Sequence, residues 1–217
     1  MRLSDFFRIA RNRSLALAID EWIDFIVFDL IKRYDFSNRD PNNRDYVPSP
    51  SKVIRRAFKE IEKLDDTFSK DFFVDCAAGK GKPSIIALES GFKSFLAIER
   101  DKKIFEVLTA NIAQASKRFS LNSSTKALDD FLLFDTKAIQ APEDSYLTFW
   151  LYDLKESLPS FFHRINELCT TWGVQRFAVL LLSEVRLPPF EGWDRKTSID
   201  FGYDDSRTLH IFSPIKN

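Results

Sequence analysis

The amino-acid sequence predicts an α/β fold: a mostly parallel, twisted sheet with helices on both faces, a C-terminal antiparallel hairpin and an N-terminal helical extension. Three observations carry this expectation. First, Phe72 to Val74, Lys93 to Ile98, Tyr146 to Tyr152 and Arg176 to Leu182 are nearly unbroken apolar runs, as expected of strands covered on both faces. Second, the stretches between them repeat apolar residues at three- and four-residue spacing, the period of a helix. Third, the first run ends in Asp75-Cys76-Ala77-Ala78-Gly79-Lys80-Gly81-Lys82-Pro83, an acid followed by a glycine-containing turn that opens a helix.

In chain order, Arg2, Arg8, Arg11 and Arg13 precede an apolar stretch from Ser14 to Ile31. Asp20, Glu21, Asp24 and Asp29 interrupt it, so it falls short of the ~20 apolar residues a membrane span needs and is no signal peptide. The spacing of Leu15, Ile19, Trp22, Ile23, Ile26 and Leu30 predicts an amphipathic helix that packs on the domain or on a partner. A polar, proline-marked loop, Ser37 to Pro50, follows. Residues 1–45 are therefore read as an appendage and 46–217 as the main domain. Ser51 fits an N-cap for a helix over Lys52 to Leu64, whose Val53, Ile54, Ala57, Phe58 and Ile61 form an apolar stripe. After the glycine turn and the second strand, Lys102 to Lys117 reads as a helix on Ile104, Val107, Leu108, Ile112 and Ala115. Leu158 to Trp172 is another helix. Ser198 to Tyr203 and Thr208 to Phe212, either side of Asp204-Asp205-Ser206-Arg207, read as a terminal antiparallel hairpin.

Spacing decides what the glycine turn binds. A dinucleotide fingerprint needs glycine at 77, 79 and 82, where the chain has Ala77, Gly79 and Lys82. A P-loop needs glycine five residues before its Gly-Lys pair and Ser or Thr after it, where Cys76 and Pro83 stand. Asp75-x-Ala77-x-Gly79-x-Gly81 instead resembles motif I of class I S-adenosylmethionine-dependent methyltransferases, with the first glycine relaxed to alanine. The resemblance spans roughly residues 46 to 212 and implies a Rossmann-like sheet with S-adenosylmethionine as cofactor.

The resemblance also assigns roles. Glu99, with Arg100 beside it, ends the second strand where an open α/β sheet places an acid on ribose hydroxyls. Asp130 and Phe131 match the third motif: a carboxylate for the adenine amino group, and an aromatic ring for the face of the base. In similar methyltransferases the segment before motif I covers the cofactor, which makes Tyr46 and Pro48-Ser49-Pro50 a lid; a rigid helix entry is the alternative. The fourth strand delivers Tyr152 and Asp153 to the place of the reacting-group contact. Amino-methylating enzymes of nucleic acids hold Asn or Asp, Pro, Pro and an aromatic there. Asp153-Leu154-Lys155-Glu156 departs from that pattern and argues against adenine-N6 or cytosine-N4 methylation of DNA.

Lys+Arg and Asp+Glu are both 32, so no net basic field gathers nucleic acid, and sequence-independent binding is disfavoured. A protein side chain or a small molecule is the methyl acceptor expected on this charge balance. Cys76 and Cys169 are the only cysteines, too few for a disulfide framework or a metal spacing, which fits buried thiols in a reducing, cytoplasmic setting. His163 and His210 are the sole histidines and are read as packed or surface residues. The loop Arg186 to Trp193 either lines an acceptor pocket or covers the core with Phe190 and Trp193. Methyl transfer from a sulfonium requires alignment and exclusion of water more than covalent chemistry, so Asp153 or Tyr152 is expected to orient the acceptor or take its proton. A catalytically silent protein of the same fold, serving as a subunit, is the competing class.

Overall fold

The computed structural model describes residues 3–12, 14–36, 49–119, 123–135, 137, 141, 144–152, 158–183, 187, 189–201 and 208–215. The strands are β1 (Phe72–Asp75), β2 (Ser94–Glu99), β3 (Ser123–Leu128), β4 (Leu147–Tyr152), β5 (Phe177–Ser183), β6 (Trp193–Asp200) and β7 (Thr208–Pro214). They form one seven-stranded sheet in the order β3-β2-β1-β4-β5-β7-β6. β1 to β5 pair in parallel, and β7 lies antiparallel between β5 and β6. The chain winds outward from β1 to β3 and then crosses back to β4, so the direction of winding reverses between β1 and β4. In open α/β sheets that reversal opens a crevice at the strands' carboxyl ends.

Period-two alternation divides each strand between two cores. Phe73, Phe95, Ala97, Trp150, Leu180 and Leu182 face α3 (Ser51–Leu64), α4 (Lys82–Glu89) and α5 (Lys102–Ser116). Phe72, Val74, Leu96, Ile98, Phe149 and Leu181 face α6 (Leu158–Thr171), whose Phe161, Phe162 and Ile165 meet them. Each fully buried Leu, Ile or Phe in these layers contributes roughly 1.5–3 kcal/mol. Helices thus cover both faces, as the unbroken apolar strands predicted.

The N-terminal region departs from its expectation in two ways. It contains α1 (Leu3–Asn12), α2 (Leu15–Asp24) and a π-helical continuation, Phe25–Ile31, where one straight helix was expected. Ser14 is the N-cap of α2, its Oγ accepting from Leu17 N. The expected stripe also does not pack on the domain. Leu17, Ala18 and Phe28 are buried, whereas Leu15, Ile19, Ile23, Ile26 and Leu30 of the expected stripe are exposed. Both sides of this segment are apolar, and the wider π turn shifts the register of side chains along it, so spacing alone did not decide which side the domain buries, and of the two expected covers, domain or partner, the domain is not the one that meets this stripe.

Ser51 is the first residue of α3 and does not cap it; Pro50 occupies that position without a side-chain cap. Asp24 supplies the missing acceptor, since its Oδ2 takes Ser51 N at 2.8 Å and its Oδ1 takes Ser51 Oγ. The hairpin is longer than expected. β6 starts at Trp193 rather than Ser198, because Trp193 is buried against Phe162 and Phe177 while Asp194, Arg195 and Lys196 point outward along an edge strand. Phe190 stacks on Phe162 with ring centroids 4.3 Å apart. These two aromatics cover the core, and Trp193, paired with Pro214, sits at the end of the sheet away from the crevice. The 204–207 turn lies outside the described residues.

Candidate cofactor-binding site

The site is built where β1 turns into α4. Ala78 N donates to Ile98 O of β2 at 2.8 Å, and Gly81 N donates to Ala78 O at 2.8 Å, closing the turn. Gly81 holds φ +84°, and a Cβ there would stand 2.4 Å from Leu108 Cδ1. Only glycine satisfies both the dihedral and the contact. Pro83 then enters the first turn of α4, where its missing N–H leaves no intrahelical bond unmade.

Glu99 joins this turn to β2. Its Oε2 accepts from Gly79 N at 2.8 Å and its Oε1 from Asp101 N at 2.7 Å. An ionised carboxylate offers about four acceptor positions, so two remain for hydroxyl donors such as those of a ribose. Asp101 caps α5, accepting from Lys103 N and Ile104 N. Beyond β3, Asp129 N donates to Glu99 O at 3.1 Å. Asp129 Oδ1 accepts from Asp130 N and Asp130 Oδ1 from Leu132 N, so one oxygen of each acid holds the turn. Asp130 Oδ2 lies 3.6 Å from Arg100 Nη1 and its side chain is 31% exposed. Glu99, Arg100 and Asp130 are thus gathered beside the Gly79–Gly81 turn.

Other expected contacts fall elsewhere. Asp75 is fully buried, and its Oδ2 accepts from Ser84 Oγ at 2.8 Å. It fixes the start of α4, while its Oδ1 is buried without a hydrogen-bond partner. Burial pushes its carboxyl up to about 7, against the lowering effect of Ser84, and the negative charge of Glu99 adds to the rise. Phe131 is 2% exposed and stacked on Phe161, centroids 5.3 Å apart and planes at 14°. It is therefore a core residue rather than a cover for a base: a large ring at that position gains more from Phe161 than from solvent. Ala77 is exposed on the turn. Tyr152 ends β4, half-buried. Tyr46 and Asp153 lie outside the described residues. Cys76 and Cys169 are free and buried, and burial pushes both thiols up, which leaves neither a ready nucleophile.

Several residues that shape the turn gave no signal in the sequence. Lys82 is buried, and its Nζ meets Asp24 Oδ2 at 2.5 Å. Lys80 Nζ lies 3.3 Å from Asp35 Oδ1. Asn111 sits on the inner side of α5, its Nδ2 donating to Lys80 O at 2.9 Å and to Asp35 O at 3.2 Å, while its Oδ1 accepts from Asp35 N at 2.9 Å. The only hint was Asn111's place between Leu108 and Ile112 on an otherwise apolar side. Two lysines and one asparagine thus tie Asp24 and Asp35 of the N-terminal region to the turn.

The sheet order and the turn geometry decide the comparison. The fold is the Rossmann-like, seven-stranded arrangement seen in solved methyltransferases. No protein-family model and no curated protein matches the sequence. Solved structures do. The chain is similar to an rRNA methyltransferase from Streptomyces viridochromogenes, at TM-score 0.58 and 12% identity over 80% of this chain and 87% of that one. It is similar to an RNA methyltransferase from Salinibacter ruber in complex with S-adenosyl-L-homocysteine, at TM-score 0.50 and 19% identity over 79% and 96%. A protein of the NADB-Rossmann superfamily from Streptococcus agalactiae gives TM-score 0.55 and 12% identity over 80% and 71%. Among the described residues no helix is long and apolar enough to cross a membrane, and no cluster of His, Cys, Asp and Glu could hold a metal ion.

Proposed function

We propose that the chain is an S-adenosylmethionine-dependent methyltransferase. The observation that carries this is the juxtaposition of the Gly79–Gly81 turn with the Glu99 and Asp130 carboxylates at the reversal point of the sheet. The residues fit the group: Glu99 retains acceptor positions for ribose hydroxyls, Asp130 Oδ2 is part-exposed for the adenine amino group, and the glycine turn lets backbone approach closely. When bound, S-adenosylmethionine supplies an electrophilic methyl group on a sulfonium. The chain's own work is to bind, orient and exclude water, with Tyr152 and Asp153 assigned to position the acceptor and hold or take its proton.

RNA leads as acceptor class, because two of the similar structures are RNA methyltransferases. The acceptor expected from charge balance, a protein side chain or small molecule, finds no support among them. A cytoplasmic location and the division into an appendage, 1–45, and a methyltransferase-like domain, 46–217, belong to the same proposal. Two buried free thiols suit a reducing compartment.

Calorimetric titration with S-adenosylmethionine and S-adenosylhomocysteine tests the reading. Micromolar binding is expected, with loss in folded Gly79→Arg and Glu99→Ala. No binding by folded parent protein would sink the enzyme reading and favour the silent-subunit class. With binding in hand, methyl transfer to RNA, protein and small-molecule pools identifies the acceptor, and unchanged turnover in Asp153→Ala or Tyr152→Phe removes the corresponding role.

A further inference from the structure

Leu15, Ile19, Ile23, Ile26, Leu30 and Ile31 are between 37% and 67% exposed. Their spacing sets them along one side of α2 and its π-helical continuation, over ~22 Å from Leu15 to Leu30 at helical rise. The stripe is held facing outward. Leu17, Ala18 and Phe28 on the other side are 0–2% exposed, and Asp24 is fastened to Ser51 and Lys82. Leu3 and Phe7 of α1, each 61% exposed, lie on a helix that leans on α2 through Phe6 and Trp22, centroids 5.8 Å apart. Together these side chains present on the order of 600 Å² of apolar surface, at the top of what a soluble monomer leaves uncovered.

We propose that a second copy of this chain covers the stripe, α2 packing on its two-fold mate. The area approaches the ~800 Å² per partner of a standard interface. Leu15 to Ile31 carry four acids, Asp20, Glu21, Asp24 and Asp29, and no base. An anionic lipid surface or a nucleic acid gains no attraction there. Asp20 pairs with Lys52 at 3.3 Å and Asp24 with Lys82, which lowers the cost of bringing two such helices together. An all-aliphatic stripe at three- and four-residue spacing is also its own complement, as an isologous contact requires. The inference stands independently of the methyltransferase reading.

Sedimentation equilibrium over about 1 to 100 µM tests it on the full chain. The parent protein is expected at twice the chain mass, and Ile23→Asp with Ile26→Asp is expected to halve it. Leu15→Asp with Leu30→Asp is expected to do the same, and unchanged far-UV circular dichroism shows that each variant folds. Leu133→Asp, at a residue 79% exposed elsewhere on the surface, should stay dimeric. A parent monomeric throughout the range, a dimer that survives both double variants, or parent protein that sediments with phosphatidylserine vesicles only while the stripe is intact would each overturn the proposal.

Discussion

Gly81 and Asp75 show how single residues set the site. Gly81→Ala places a Cβ against Leu108, itself fully buried, at φ +84°. It is expected to cost about 1–3 kcal/mol in chemical denaturation, and a change within error would refute the steric reading. Asp75 carries a pH dependence of known sign. Its carboxyl, pushed to about 7 from the usual 3.8, binds its proton more tightly in the folded state. The stability tied to it is full below about pH 4 and is lost as pH rises through about 7. Asp75→Asn should therefore gain on the parent with rising pH, approaching ~1.4 kcal/mol per pH unit in the middle of that interval. Urea midpoints from pH 5 to 8 measure this, and a constant difference would contradict it. His210, lowered to about 4 chiefly by burial, acts in the opposite sense, losing stability as pH falls below 6.5. The comparison must therefore be between variant and parent. The acid of the glycine motif was visible in the sequence. That it points at Ser84 depends on α4 closing over it.

At the level of elements, Asp24 and Lys82 connect α2, α3 and α4. Their side chains are 9% and 4% exposed, so removing one partner leaves a buried charge unpaired. Asp24→Leu or Lys82→Met alone is expected to destabilise by about 3–5 kcal/mol, while the two together recover much of the loss. Additive single effects in a double-mutant cycle would deny the coupling. No local pattern announces this pair. Asp24 read as an interruption of an apolar stretch, and Lys82 as part of the glycine turn. β6 was half legible for a similar reason, since its outward Asp194-Arg195-Lys196 run looks like loop until β7 pairs with it.

For the whole molecule, a ligand that binds only the folded chain must raise its melting temperature. S-adenosylhomocysteine at a hundredfold excess over its Kd is expected to add ~2.7 kcal/mol, a rise of roughly 5–11 °C for a chain of this size. No shift in a thermal melt would count against the site. The sequence by itself determined the α/β class, four of the five parallel strands, the helices between them, the terminal hairpin and the Gly79–Gly81 turn, because strand burial, helical period and glycine dihedrals are local properties of the chain, whereas β3 and α1 carry no such signal. Only the tertiary structure decided that Phe131 turns into the core, that Lys80, Lys82 and Asn111 tie the N-terminal region to the glycine turn, and which side of α2 is buried. Those outcomes depend on partners dozens of residues away, and between two apolar sides of one helix the winner is whichever meets a complementary surface.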